Sequence, residues 1–200
     1  MKRAAVGFRV HSGWAAMVAV AVADGEPVVL ARERIHLVKT FRYKFRQPYH
    51  TAKMMSAARA GAFVARVRSQ ARRLAARAIR SLEGRLKVEG FKLAHCGLLV
   101  ASGRALPPMQ KILASHALIH TADGELFREA LVHAGRKCGL RSVKIKEKEL
   151  LKSASEVLRM KDTEIQKRIA QIGRPFGAPW SRDEKIASLA AWLALTNRRH

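Results

Sequence analysis

Acidic residues are scarce in this chain. Its 15 Asp and Glu stand against 39 Lys and Arg, a formal net charge of +24. Such an excess repels itself and attracts counterions, which suits a polyanionic partner: nucleic acid, anionic lipid or an acidic protein. Cysteine is nearly missing as well. Cys96 and Cys138 form no CxxC, and no Cys/His pair has zinc spacing, so no structural zinc is expected. Two reduced thiols in a cytoplasmic protein are the expectation. No segment reaches the ~20 apolar residues of a membrane span, so no membrane partner is expected. Neither GxxxxGK[ST] nor GxGxxG occurs, which leaves the glycine turns at Ser12-Gly13 and Ser102-Gly103 without a nucleotide-binding pattern, and tight turns are their default reading.

What is present is enough apolar residue, 48%, in a chain of 200, to bury the core of one ordinary domain spanning residues 1–200. The first 25 residues have two readings. A basic start, an apolar stretch from Trp14 to Val22 and Ala21-Val22-Ala23 resemble a cleaved signal. The same residues make two good strands, 4–10 and 14–23, and the second apolar run at Ala4–Phe8 favours that reading. Asp24-Gly25 is a hairpin turn dipeptide, and an alternating segment over 28–38 supplies a third, antiparallel strand.

A basic connector follows over 39–50, where Lys39, Arg42, Lys44 and Arg46 interleave with Phe41, Tyr43 and Phe45. The spacing then predicts a long helix over 51–85. Phe63, Val67, Ala71, Leu74, Ala78 and Leu82 form its core stripe. Arg59, Arg66, Arg73, Arg77 and Arg80 line up on an adjoining face, almost without acidic residues at i±4 to pair them. A buried strand is expected over 93–102. Helices over 109–120 and 124–138 follow, the second closed by Gly139. A short strand over 142–146 comes next, then helices over 149–172, with a break near Lys161-Asp162, and over 183–197. Lysines 144, 146, 148 and 152 read as a solvated strand edge. His116 and His120 have the i, i+4 spacing that can bind zinc, but no third ligand stands nearby, and ordinary histidines are the expectation. No metal site is expected.

The order β-β-β-α-β-α-α-β-α-α predicts a mixed α/β sheet of five strands, the first three antiparallel, with helices on both faces. Four stretches add a family resemblance: GFRVHSGW (7–14), GLLVAS (97–102), KDTEIQKRIAQI (161–172) and RDEKIASLAAWLAL (182–195). They resemble the first strand, fourth strand, penultimate helix and last helix of RuvC-type Holliday-junction resolvases, members of the ribonuclease-H-like superfamily. The resemblance spans nearly the whole chain. It implies a DNA-cutting site of four carboxylates around two Mg²⁺ ions about 4 Å apart.

Carried over residue by residue, that site is depleted. The first-strand aspartate falls on Arg9 and the fourth-strand glutamate near Ala101 or Ser102. Asp183 matches the first acid of the last helix, and the second falls on Ile186. The resemblance thus implies the fold while arguing against the chemistry. An Arg9–Asp183 salt bridge in place of the metals is one expectation. The other is that Arg9, His11 and Arg104 face a phosphate. Three functions follow. The first is a catalytically degenerate protein that binds nucleic acid, DNA before RNA, through Arg9, Arg42, Lys44, Arg46, Arg59, Arg66, Arg73, Arg77, Arg80 and Arg104, with no cofactor. The second is an interaction module or homodimer scaffold. The third is a nuclease that needs Mg²⁺ and keeps a reduced set of Asp183, Glu184 and His11.

Overall fold

Residues 2–23, rich in Ala and Val, pair across a two-residue turn as β1 (Lys2–His11) and β2 (Trp14–Ala23). The segment that also had signal-like features is therefore spent on two inner strands. Asp24 and Gly25, both at positive φ (52° and 81°), turn the chain into β3 (Glu26–His36), as a primed hairpin turn requires. The computed structural model describes residues 1–101 and 105–196. β4 (Phe91–Val100) and β5 (Arg141–Lys146) complete a five-stranded sheet in the order β3-β2-β1-β4-β5. β1 pairs antiparallel with β2, and β2 with β3, whereas β1–β4 and β4–β5 are parallel. This is the expected mixed sheet.

The helices differ from expectation in two places. The long helix starts later, because the connector itself folds into two short helices, α1 (Tyr43–Arg46) and α2 (Pro48–Ala52). Pro48 suits a first helical turn, where no N–H partner is needed. Ser56, extended at φ −61° and ψ 152°, then starts α3 (Ala57–Val88). The second difference is at Gly124, which the sequence reads as a helix start. It lies inside one continuous helix, α5 (His116–Lys137), preceded by the short α4 (Met109–Leu113). The cap belongs to Ser115, whose Oγ accepts the Leu118 N–H at 3.4 Å. An interior glycine costs about 1 kcal/mol, less than the burial of Ile119, Leu126, Phe127 and Leu131 contributes.

The expected break near Lys161-Asp162 is present. α6 (Leu150–Leu158) stops at Arg159, left-handed at φ 54°, before α7 (Asp162–Ile172). α8 (Arg182–Thr196) closes the fold. Among the described residues no helix is long and apolar enough to cross a membrane.

Strand alternation divides the interior into two cores. Ala4, Val6, Phe8 and Val10 of β1 join a cluster with α3 and α5 on one face. Ala5 joins β2, β4 and β5 side chains with α6, α7 and α8 on the other. Cys96 is buried in the first cluster and Cys138 half-buried beside it; both are free, and burial pushes both thiols above their ordinary value.

Helix α8 approaches the sheet at backbone distance. Gly7 of β1 and Gly97 of β4 are register partners. A Cβ on Gly7 would overlap the Ala187 carbonyl oxygen and stand 2.7 Å from Ala191 N, and one on Gly97 would overlap the Ala190 carbonyl oxygen. On the helix, Ala187, Ala190, Ala191 and Ala194 are fully buried. Gly7→Ala or Gly97→Ala is therefore expected to destabilise the protein by about 3 kcal/mol or more in urea unfolding. Gly61→Ala, in open space on α3, is expected to stabilise it by about 0.5–1 kcal/mol.

Candidate functional site

β1, β4 and β5 run parallel, so their carboxyl ends emerge at one edge of the sheet, the edge at which sheets of this type place ligands. On β1, Arg9 and His11 share the strand face of Gly7 and so point to the α8 side. Glu147 follows β5 directly, and Asp183 opens α8. Arg9 Nη1 donates to Glu147 Oε2 at 2.7 Å. Its Nε lies 3.8 Å from Asp183 Oδ1 and is buried without a hydrogen-bond partner among the described residues. Asp183 Oδ2 in turn accepts from His11 Nε2 at 2.9 Å. The edge is an alternating row: Glu147, Arg9, Asp183, His11.

The expected Arg9–Asp183 bridge is present, at 3.8 Å. It is not alone: Arg9 makes its shorter contact with Glu147, and Asp183 also accepts from His11. Glu147 escapes a reading of the sequence because it lies among lysines and gains its place only through the β4–β5 pairing. Glu184 is engaged elsewhere. Its Oε2 accepts the Ser181 N–H at 2.6 Å while Ser181 Oγ accepts the Glu184 N–H at 3.3 Å, a reciprocal helix cap. Its other oxygen, Oε1, is 3.3 Å from Arg32 Nη1 on β3. Ser181 to Glu184 has the S-x-x-E spacing of such a cap, a signal the sequence does carry. Ile186 is half-buried and, with Glu147, lines a cavity of about 460 Å³ between α6, α7 and α8. Ala101 is exposed at the end of β4; Ser102, Gly103 and Arg104 lie outside the described residues.

Beside the row, the His11 ring stacks on Trp14 with centroids 4.2 Å apart, and the Arg34 guanidinium covers the Trp14 ring at 3.8 Å. In the connector, Arg42 and Lys44 are exposed, whereas Arg46 is half-buried with its guanidinium 5.0 Å from the Phe41 ring. Phe41 and Tyr43 are 39% and 57% exposed. Phe45 instead turns inward onto Phe63 at 6.2 Å.

On α3, Arg59, Arg66, Arg73, Arg77 and Arg80 are all exposed. None of the five has an ion pair among the described residues, whereas their neighbours Arg72 and Arg85 are held by Glu129 and Glu33. Arg72, Arg73, Arg77 and Arg80 join His133 and Lys137 of α5 to line a groove of about 440 Å³. His133 and Lys137 were missed by sequence, since only the packing of α5 on α3 brings them there.

The histidine pair on α5 has a third member after all. His50 of α2 meets His116 and His120, and ligand-capable atoms of the three lie within 4.8 Å of one another. His50 Nδ1 donates to Asp123 Oδ2 at 2.6 Å, and the Tyr49 N–H donates to Asp123 Oδ1 at 2.7 Å. Asp123 is 2% exposed. Burial raises its carboxyl above the ordinary value, and the hydrogen bonds from His50 and Tyr49 oppose that rise.

The edge row makes a quantitative expectation. A double-mutant cycle on Arg9→Ala and Glu147→Ala, read by urea unfolding, should give a coupling of about 1 kcal/mol, the Arg9/Asp183 cycle clearly less.

No family model matches the chain, and no curated protein matches it. Two solved structures are similar over nearly its whole length. The Thermus thermophilus RuvC structure shares a TM-score of 0.51 and 11% identity, covering 95% of this chain and 92% of that one. The T. thermophilus RuvC in complex with Holliday junction substrate gives 0.54 and 11%, covering 96% and 93%. With the sheet order and the three antiparallel strands at the start, these likenesses establish that the chain has the ribonuclease-H-like fold in its RuvC-like form.

Proposed function

We propose that this protein binds nucleic acid, DNA first, on a RuvC-like scaffold that does not cut it, and that residues 1–200 act as one such domain. The observation that carries the reading is the row of unpaired arginines on α3. Arg59, Arg66, Arg73 and Arg80 recur every seven residues, about two helical turns, and span about 31 Å. That is close to the ~34 Å of one duplex turn. Guanidiniums without carboxylate partners, about 10 Å apart along that length, suit phosphate contacts, each of which releases counterions. The groove shared with His133 and Lys137 extends the row onto α5. Exposed Phe41 and Tyr43, among Arg42, Lys44 and Arg46, suit stacking on unpaired bases. A similar fold is seen bound to a Holliday junction substrate, which makes branched DNA the first probe.

The edge row does not fit the pair of Mg²⁺ ions that the resemblance implies. Such ions need several oxygen ligands and shed water reluctantly. Here a guanidinium lies 2.7 Å from Glu147 and 3.8 Å from Asp183, where a cation would otherwise stand. Glu184 is engaged by Ser181 and Arg32. Arg9 holds β1, β5 and α8 together by hydrogen bond and charge, and no cleavage step is assigned. A second reading, a scaffold for another copy or an acidic protein, is favoured by β5. It is the last strand of the sheet, and a cavity of about 850 Å³ lies along it, lined in part by Ile145, Val157 and Leu193.

The test is fluorescence anisotropy with duplex, branched and single-stranded DNA over a salt series. Binding should weaken steeply with salt. Arg73→Gln/Arg77→Gln/Arg80→Gln should bind more weakly and lower the slope of log K against log salt by about 3. Wild-type affinity in that variant would refute the binding surface. Cutting of branched DNA that requires Mg²⁺ and disappears in Asp183→Ala would refute the non-cutting part. Sedimentation as a stable dimer without DNA affinity at physiological salt would establish the second reading instead.

A further inference from the structure

Away from the sheet edge and the arginine row, the three histidines between α2 and α5 form an arrangement that neither the fold nor the nucleic-acid reading requires. We propose that His50, His116 and His120 form a binding site for a divalent transition metal of the zinc class, held by three imidazole nitrogens with water at the remaining position. This inference does not depend on nucleic-acid binding.

The geometry is built from both sides. His116 and His120, one turn apart on α5, bring their Nε2 atoms to 3.0 Å from each other. Two nitrogens on one tetrahedral zinc at 2.0–2.1 Å would be about 3.3 Å apart, so a few tenths of an ångström of ring movement suffice. His50 arrives from α2 with its ring 4.4 Å from that of His120 and 5.5 Å from that of His116. The three rings stand steeply to one another, at 67°, 89° and 84°. Such angles are compatible with three imidazoles around one ion, each aiming an in-plane lone pair at it.

Asp123 fixes which nitrogen of His50 is available. A carboxylate only accepts, so the 2.6 Å contact places the proton on Nδ1 and leaves the lone pair on Nε2. Metal-bound histidines commonly donate their other N–H to a carboxylate in this way, which fixes the ring and raises its basicity. Asp123 is itself anchored by the Tyr49 N–H and buried in α5, so His50 is oriented before any ion arrives. His116 and His120 are exposed, which leaves an approach for the ion and room for water. The donor set selects among metals. Three neutral imidazoles suit Zn²⁺, Co²⁺, Ni²⁺ or Cu²⁺ and are poor ligands for Mg²⁺, which prefers oxygen. Bound there, the ion would tie α2, and with it the basic connector, to α5.

Untagged full-length protein, stripped with EDTA and dialysed, is titrated with Zn²⁺ against a chromophoric chelator, and with Co²⁺ by its visible spectrum. One ion per chain is expected, with four-coordinate Co²⁺ absorption that Zn²⁺ displaces and Mg²⁺ in large excess does not. His116→Ala/His120→Ala, whose side chains are exposed and whose fold is checked by circular dichroism, should lose binding at least 100-fold. Asp123→Asn should weaken it about 10- to 100-fold, and Zn²⁺ should raise the melting temperature of the wild type but not of the double variant. Less than half an ion per chain, or undiminished binding in the double variant, would overturn the site. Wild-type affinity in Asp123→Asn would remove Asp123 from it.

Discussion

Helix α8 approaches the sheet at backbone distance where it crosses Gly7 and Gly97, and the candidate edge depends on that contact. Gly7 and Gly97 face each other across β1 and β4, and the Ala187 and Ala190 carbonyl oxygens occupy the space their Cβ atoms would fill. Seated so closely, the helix brings its first turn level with the carboxyl end of β1. Asp183 lies one turn before Ala187, and Arg9 lies one pleat beyond Gly7, so the same approach that closes the core carries a carboxylate to a guanidinium. Any side chain at either glycine would lift α8 and open the row from Glu147 to His11.

Several of the few acids act as clips between elements distant in sequence. Glu33 holds Arg85, Glu129 holds Arg72, Glu147 holds Arg9, Glu184 holds Arg32, and Glu26 holds Arg168. Each is at least partly exposed, so each contributes modestly to stability. Their larger effect is on what remains. With many carboxylates engaged inside the fold, Arg59, Arg66, Arg73, Arg77 and Arg80 on the outer face of α3 keep no ion pair among the described residues.

Asp123 is used differently, because it holds no arginine or lysine. It is buried beneath α2, holds the His50 ring and the Tyr49 backbone, and so converts a short connector helix into a placed histidine. Burying a carboxylate is unfavourable unless its oxygens are satisfied, and here one N–H from each of two adjacent residues satisfies them. The connector is thereby fixed against α5 at the end of the sheet where β1 and β4 finish, while Phe41 and Tyr43 remain outside.

Local pattern determined a good deal by itself. The Ala- and Val-rich strands, the Asp24-Gly25 turn and the seven-residue recurrence of arginine are all properties of neighbouring residues, legible because strand and helix periods are short-range. So is the element order, which with the resemblance led to the right sheet. Where local signals compete the reading slipped: Gly124 suggested a helix start that the Ser115 cap and a buried stripe override. What only tertiary structure decided are the pairings across long stretches of chain. Glu147 reaches Arg9 through strand order, His50 reaches His116 through the packing of α2 on α5, and Lys137 reaches Arg80 through α5 against α3. No periodicity encodes these meetings, because they arise from where whole elements come to rest, and that is settled by burial of two cores on either side of one sheet.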